Sequence, residues 1–177
     1  MASTRLIDAI RDGTTVEYVR ALLEKGIYVN STDHYDMTAL MCAALLSGST
    51  GTENNVKLLL EYGAKVDAKD SYGWTALLHV ARNFSGTSTK NIAVILLENG
   101  ADVNAKNTFG CTALMYPVRF HRRFTTTNIV TAKMLLEYGA DANVKDNKGK
   151  TALQHTTDKI NTFCATCVIT MLIEELF

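Results

Sequence analysis

Leu96-Leu97-Glu98-Asn99-Gly100-Ala101-Asp102-Val103-Asn104, followed by Asn107-Thr108-Phe109-Gly110 and Thr112-Ala113-Leu114, decides how this chain folds. A Leu-Leu-Glu run ending in Gly reads as a helix stopping at a residue that accepts left-handed geometry. Ala101 to Asn104 is a short extended piece. Asn107 to Gly110 is a turn, with an amide side chain at its start and Gly at its end. Thr112 ahead of an apolar run is an N-cap for the next helix.

The same order recurs along the chain. Thr-Ala-Leu begins at Thr38, Thr75, Thr112 and Thr151, spaced 37, 37 and 39 residues. The Leu-Leu-Glu-x-Gly glycines are Gly26, Gly63, Gly100 and Gly139, with the same spacings. Two independent markers keep one phase, so the chain is an internal repeat of helix, loop, helix and turn. The unit resembles the ankyrin repeat, with its T-P-L-H-x-A signature and roughly 33-residue period. That resemblance implies an all-α solenoid of stacked helix-loop-helix units with short β-hairpin or turn fingers. It makes residues 1–177 one domain of five repeats: 1–34 as N-terminal cap, 35–71, 72–108, 109–147, and 148–177 as C-terminal cap. A tetratricopeptide array lacks the Gly-Ala-Asp-Val-Asn-like segment.

The chain departs from the family pattern in several ways. Ala39, Ala76, Ala113 and Ala152 replace its Pro, keeping good helix propensity. Met41, Leu78, Met115 and Gln154 stand in place of its His, so the bonds made by that His must be lost or replaced. Asp36 replaces the turn Gly, a site where Asp tolerates a positive φ better than most residues. The excess length falls at 47–55, 85–90 and 121–127, read as longer loops between paired helices. The only proline, Pro117, removes an amide donor inside an inner helix and is expected to distort it. Leu40, Ala43, Ala44, Leu77, Val80, Ala81 and Leu114 line the inner helices. Val56, Leu59, Leu60, Ile92, Ile95, Leu96, Ile129, Met134 and Leu135 line the outer ones.

Composition excludes other classes. The 177 residues are 47% apolar and 20% charged, too apolar for a disordered tail. No apolar run reaches the length of a membrane span, and no secretory signal is visible, so the expectation is a reduced, cytoplasmic chain. Delivery into a host cell leaves no signature to read. The 18 basic and 18 acidic groups cancel, which removes the simplest electrostatic reason for nucleic-acid binding. The cancellation hides a gradient. Residues 1–71 carry seven basic and ten acidic groups, net −3; residues 72–177 carry eleven and eight, net +3.

No catalytic constellation emerges. Cys164 and Cys167 form a CxxC without thioredoxin-like context or two further zinc ligands at suitable spacing. The four His form no i, i+4 pair, and the Gly-rich stretch at 48–52 lacks phosphate-loop spacing. The chain reads as a non-enzyme without cofactor or metal.

The resemblance implies a partner protein at the finger tips and the concave inner-helix face. The tip residues are Tyr35, Tyr72 and Phe109, with Lys148 in the fourth finger. Two positions on stand Met37, Trp74, Cys111 and Lys150. Both columns are expected to face solvent, with aromatic and Met enrichment typical of interface centres. Leu46, Arg82, Arg119 and Phe120 add the concave ends of the inner helices. The basic run 119–124 has three Arg, too few to make nucleic acid the partner. An inhibitory or targeting subunit of an enzyme, including a host-directed effector, is the alternative. The apolar C-terminal residues Ile169, Met171, Leu172, Ile173, Leu176 and Phe177 suggest weak self-association of an otherwise monomeric chain.

Overall fold

The computed structural model describes residues 4–46, 51–83, 87–119 and 126–157. Among these residues nine helices follow one another, mostly in pairs: α1 (Arg5–Arg11) and α2 (Val16–Glu24), α3 (Ala39–Leu45) and α4 (Thr52–Glu61), α5 (Ala76–Arg82) and α6 (Thr87–Glu98), α7 (Met115–Arg119) and α8 (Thr126–Glu137), then α9 (Ala152–Thr157). Inner helices α1, α3, α5, α7 and α9 each pack on the next, and each of the first four packs on its own outer partner. This is the all-α solenoid that the repeat implied.

The boundaries come from local chemistry. Thr38 and Thr75 accept from the amides of Met41 and Leu78, capping α3 and α5. At the far end of α6, Gly100 has φ 85°, and the Ala101 amide reaches back to the Leu96 carbonyl at 3.0 Å. That wrap satisfies a carbonyl the helix leaves open. It recurs from Ile27 to Leu22, Ala64 to Leu59 and Ala140 to Leu135.

Pro117 distorts its helix as expected. α7 has five residues against seven in α3 and α5, and it starts three residues after Thr112 rather than one. Pro117 has no amide to give the Ala113 carbonyl, so the first turn forms shorter-range bonds instead, Met115 to Thr112 and Tyr116 to Ala113. The Thr112 hydroxyl is buried without a partner among the described residues.

The extra residues do not all lengthen loops, which corrects the sequence reading. α4, α6 and α8 begin inside the segments 47–55, 85–90 and 121–127. α6 and α8 have 12 residues, against nine in α2. The Thr-rich starts propagate as helix once the apolar stripe that follows has packed.

The core holds the inner-helix residues expected of it, from Leu40 to Leu114, all buried. Of the outer set, Leu60 and Ile95 are half-buried at its margin, Ile129 lies outside the residues described for burial, and Leu58 joins the core unanticipated.

Neighbouring units are also clamped by polar side chains. Asn30 accepts from the Lys65 amide (2.7 Å) and donates to the Gly63 carbonyl (3.1 Å). Asn104 repeats both bonds two interfaces on, to Asp141 (2.8 Å) and Gly139 (3.1 Å). Asp67 accepts from the Asp102 amide, and as a carboxylate it has no proton for the second bond.

Candidate functional site

Each finger is folded around one side chain. Asp70 Oδ1 accepts from the amides of Tyr72 and Trp74, both at 2.9 Å. Asp33 does the same for Tyr35 and Met37, Asn107 for Phe109 and Cys111, and Asp146 for Lys148 and Lys150. The chain thus curls round the oxygen with residue i+2 outside and residue i+4 inside.

The other side-chain atom of each Asp or Asn is tied to a helix. Asp70 Oδ2 meets His79 Nε2 at 3.1 Å, and Asp146 Oδ2 meets His155 Nε2 at 2.9 Å. In the third finger both chemistries are exchanged. Asn107 Nδ2 donates, at 2.8 Å, to an acceptor, the Tyr116 hydroxyl. In the first finger the partner comes from earlier in the chain, at the end of α1: Arg11 Nη2 donates to Asp33 Oδ2 at 2.5 Å. At the position of the missing family His, Met41 Sδ and Gln154 Oε1 accept from the Thr38 and Thr151 amides, and the contacts of His79, Tyr116 and His155 sit one residue further along the helix. The i, i+9 spacing of 70/79, 107/116 and 146/155 was a legible signal that the sequence reading missed.

Burial raises a carboxyl pKa, but at Asp146 the Lys150 amide, His155 and the Lys148 amide outweigh it. At Asp33 burial is likewise outweighed, by Arg11 and the amides of Tyr35 and Met37. Both carboxyls therefore lie below their ordinary 3.8. A depressed Asp stabilises the fold fully above its unfolded value, and that contribution is lost as pH falls through the folded one. The expected outcome is a melting temperature that drops as pH is lowered from 5 to 3, checked by circular dichroism.

The curl separates the two columns read from the sequence. Tyr35, Tyr72 and Phe109 are 50%, 55% and 58% exposed, and Lys148 is exposed in the same register. The next finger fixes their spacing. The Ser71 amide donates to the Tyr35 carbonyl (2.9 Å), Thr108 to Tyr72 (3.0 Å) and Asn147 to Phe109 (3.1 Å).

The second column does not face solvent. Trp74 is 8% exposed, Cys111 is buried, and Met37 and Lys150 are half-buried. The amide at i+4 turns inward to reach the Asp or Asn oxygen, and its side chain enters the array. Trp74 stacks on His79 (5.3 Å, 27°), contacts Tyr116 (5.0 Å) and lies under the Arg82 guanidinium (5.2 Å). It therefore seals the joint between α5 and α7.

The other expected site residues scatter. Leu46 is half-buried against the core. It lines a cavity of about 320 Å³ between the connections after α1 and α3, with Asp12, Thr15 and Asn55 among its walls. Arg82 is exposed, with its guanidinium held over Trp74. Arg119 ends α7, with its side chain outside the described set. Phe120, the CxxC at Cys164 and Cys167 and the apolar C-terminal stretch also lie outside it. Tyr28, 62% exposed at the base of the first finger, is an aromatic that the sequence reading missed. Its equivalents Lys65, Asp102 and Asp141 gave no periodic signal.

Among the described residues no group of three or more His, Cys, Asp or Glu is placed to hold a metal ion. In the same set no helix is long and apolar enough to cross a membrane. No curated protein matches the chain. The family model for ankyrin repeats (3 copies) matches at residues 6–107, 49–146 and 78–172, overlapping spans that together run from 6 to 172. The chain belongs to the ankyrin-repeat family.

Proposed function

We propose that this five-repeat chain is a non-catalytic scaffold that captures a partner protein on the ridge formed by Tyr35, Tyr72, Phe109 and Lys148. Ankyrin repeats generally mediate protein–protein interaction. The observation that carries the reading is the column of three large rings, each at least half exposed although buried positions lie two residues away. The bonds between fingers preset the spacing of the rings, so a partner orders little backbone on binding. Tyrosine and its aromatic relatives are strong anchors in such interfaces. Lys148 ends the ridge toward the half of the chain that carries net +3. A partner with apolar pockets in sequence and an acidic end fits that layout.

The test is the double variant Tyr72→Ala, Phe109→Ala in affinity capture. Capture is expected to fall about a thousandfold, the loss of two hot-spot side chains at ~2 kcal/mol each, while the melting temperature stays within a few degrees. Unchanged capture would reject the ridge. Trp74→Ala is the contrasting variant: it opens a cavity between α5 and α7, so its main effect is on stability.

A further inference from the structure

We infer that the Asp70–His79 contact is an acid-operated latch on the second finger, closed while the ring is neutral and released when the ring is protonated. His79 is 7% exposed, and its Nε2 faces Asp70 Oδ2 at 3.1 Å. Its other nitrogen, Nδ1, is buried with no hydrogen-bond partner among the described residues. A carboxylate opposite Nε2 assigns the proton to Nε2 and leaves Nδ1 bare, an assignment made from the hydrogen-bond network. One further proton would place a charged N–H at Nδ1 with no acceptor in an enclosed site, which is costly.

The charged groups facing the ring pull in opposite directions. Asp70 on the finger favours the cation, and Arg82 one turn along α5 opposes it. The rings of Trp74 and Tyr116 complete the cluster and carry no charge. Burial is the largest influence, and it moves His79 below its ordinary 6.5. The sign follows directly. An opened finger, with its ring in water near 6.5, binds more protons than the closed one. The closed form is thus fully favoured above pH 6.5. It loses ground up to tenfold per pH unit below that, until the closed-state value is reached.

Release reaches the exposed ridge. Asp70 fixes the amides of Tyr72 and Trp74, and His79 is the platform on which Trp74 stacks. A ring that leaves for water removes both the second ligand of Asp70 and the support of Trp74. Two of the other fingers differ in kind: Asn107 carries an amide, and Asp33 is held by a guanidinium that stays charged; the fourth repeats the pair as Asp146–His155, with Lys150 where the second has Trp74.

Trp74 is the sole tryptophan, so its emission reports this finger alone. In the full chain taken from pH 8 to pH 4.5, a change in Trp74 emission is expected with its midpoint below 6.5. His79→Gln keeps a donor for Asp70 and does not titrate, so the change is expected to vanish there. It is expected to persist in His155→Gln. Circular dichroism at pH 8 shows whether each variant is folded. The wild-type proton resonances of the His79 ring give a second reading that needs no variant. A ring midpoint at or above 6.5, or an unaltered transition in folded His79→Gln, overturns the latch. Weaker partner capture at pH 5.5 than at pH 7.5 in wild type, but not in His79→Gln, rests in addition on the ridge reading. Tyr72→Ala capture at pH 7.5 tests that reading by itself, so a failed ridge leaves the emission result standing.

Discussion

Gly110→Ala is expected to destabilise the chain by about 3 kcal/mol, against about 1 kcal/mol for Gly149→Ala. Both glycines have the same left-handed backbone, φ 75° and 74°. An alanine at either one incurs the same conformational penalty. The surroundings differ. A Cβ on Gly110 would lie 2.5 Å from Asn147 Oδ1, 2.7 Å from the Asn147 amide and 3.1 Å from the Asp146 carbonyl carbon. Asn147 is tied down by its own bonds to the Phe109 and Thr108 carbonyls, so the neighbouring finger has to move as a unit. Around Gly149 no atom of the described residues lies within 4 Å. Gly73, where the Thr108 amide would be 3.0 Å away, should fall between the two. Urea denaturation of the three variants checks the order. Equal losses would mean that the fingers give way freely and that the ridge is not preset.

Asp70→Ala should cost a similar amount, about 3 kcal/mol, by a different route. It removes one acceptor from three donors at once: the Tyr72 amide, the buried Trp74 amide and His79 Nε2. Each orphaned donor costs roughly 1 kcal/mol or more when water cannot replace the bond. Asp70→Asn keeps the oxygen for the two amides and disturbs only the contact with His79, so about 1 kcal/mol is expected there. Trp74 emission should shift to longer wavelength in Asp70→Ala, because the inward turn of the finger is lost. A loss below 1 kcal/mol would show that the carboxylate does not organise the finger. The pair of variants also separates the finger's fold from the latch, since Asp70→Asn spares the former and alters the latter.

The repeat was legible because it is written twice in one phase, in Thr-Ala-Leu and in Leu-Leu-Glu-x-Gly. Helix caps and left-handed helix ends are local chemistry, and local chemistry repeats where residues repeat. The distortion at Pro117 was readable for the same reason: a missing amide acts within one turn. Asp36 also keeps its turn, with φ 60°, and its carboxylate accepts from the Ser71 hydroxyl at 2.8 Å.

The finger columns were only half legible. Residues two apart look equivalent in a list, yet Tyr72 is exposed and Trp74 is buried. The difference depends on where Asp70 Oδ1 points both amides, and so on His79 in the following helix. Tyr116 and His155 hold their fingers from the same i+9 position as His79, but the first finger is held by Arg11, 22 residues earlier in the chain. Chain spacing points to those three, whereas Asp33, with Cys42 at its i+9 position, meets Arg11 only in the fold.

By itself, then, the sequence determined a solenoid of capped helix pairs, its core stripes and the register of its fingers. Those follow from interactions within about ten residues and from a period that never loses phase. Only the tertiary structure decided which finger side chains reach solvent. It also decided that Trp74 is a joint rather than a contact, and that His79 lies buried with one nitrogen bare. Exposure and burial are set by the neighbouring repeat, and stacking brings together residues that the chain keeps about 37 positions apart.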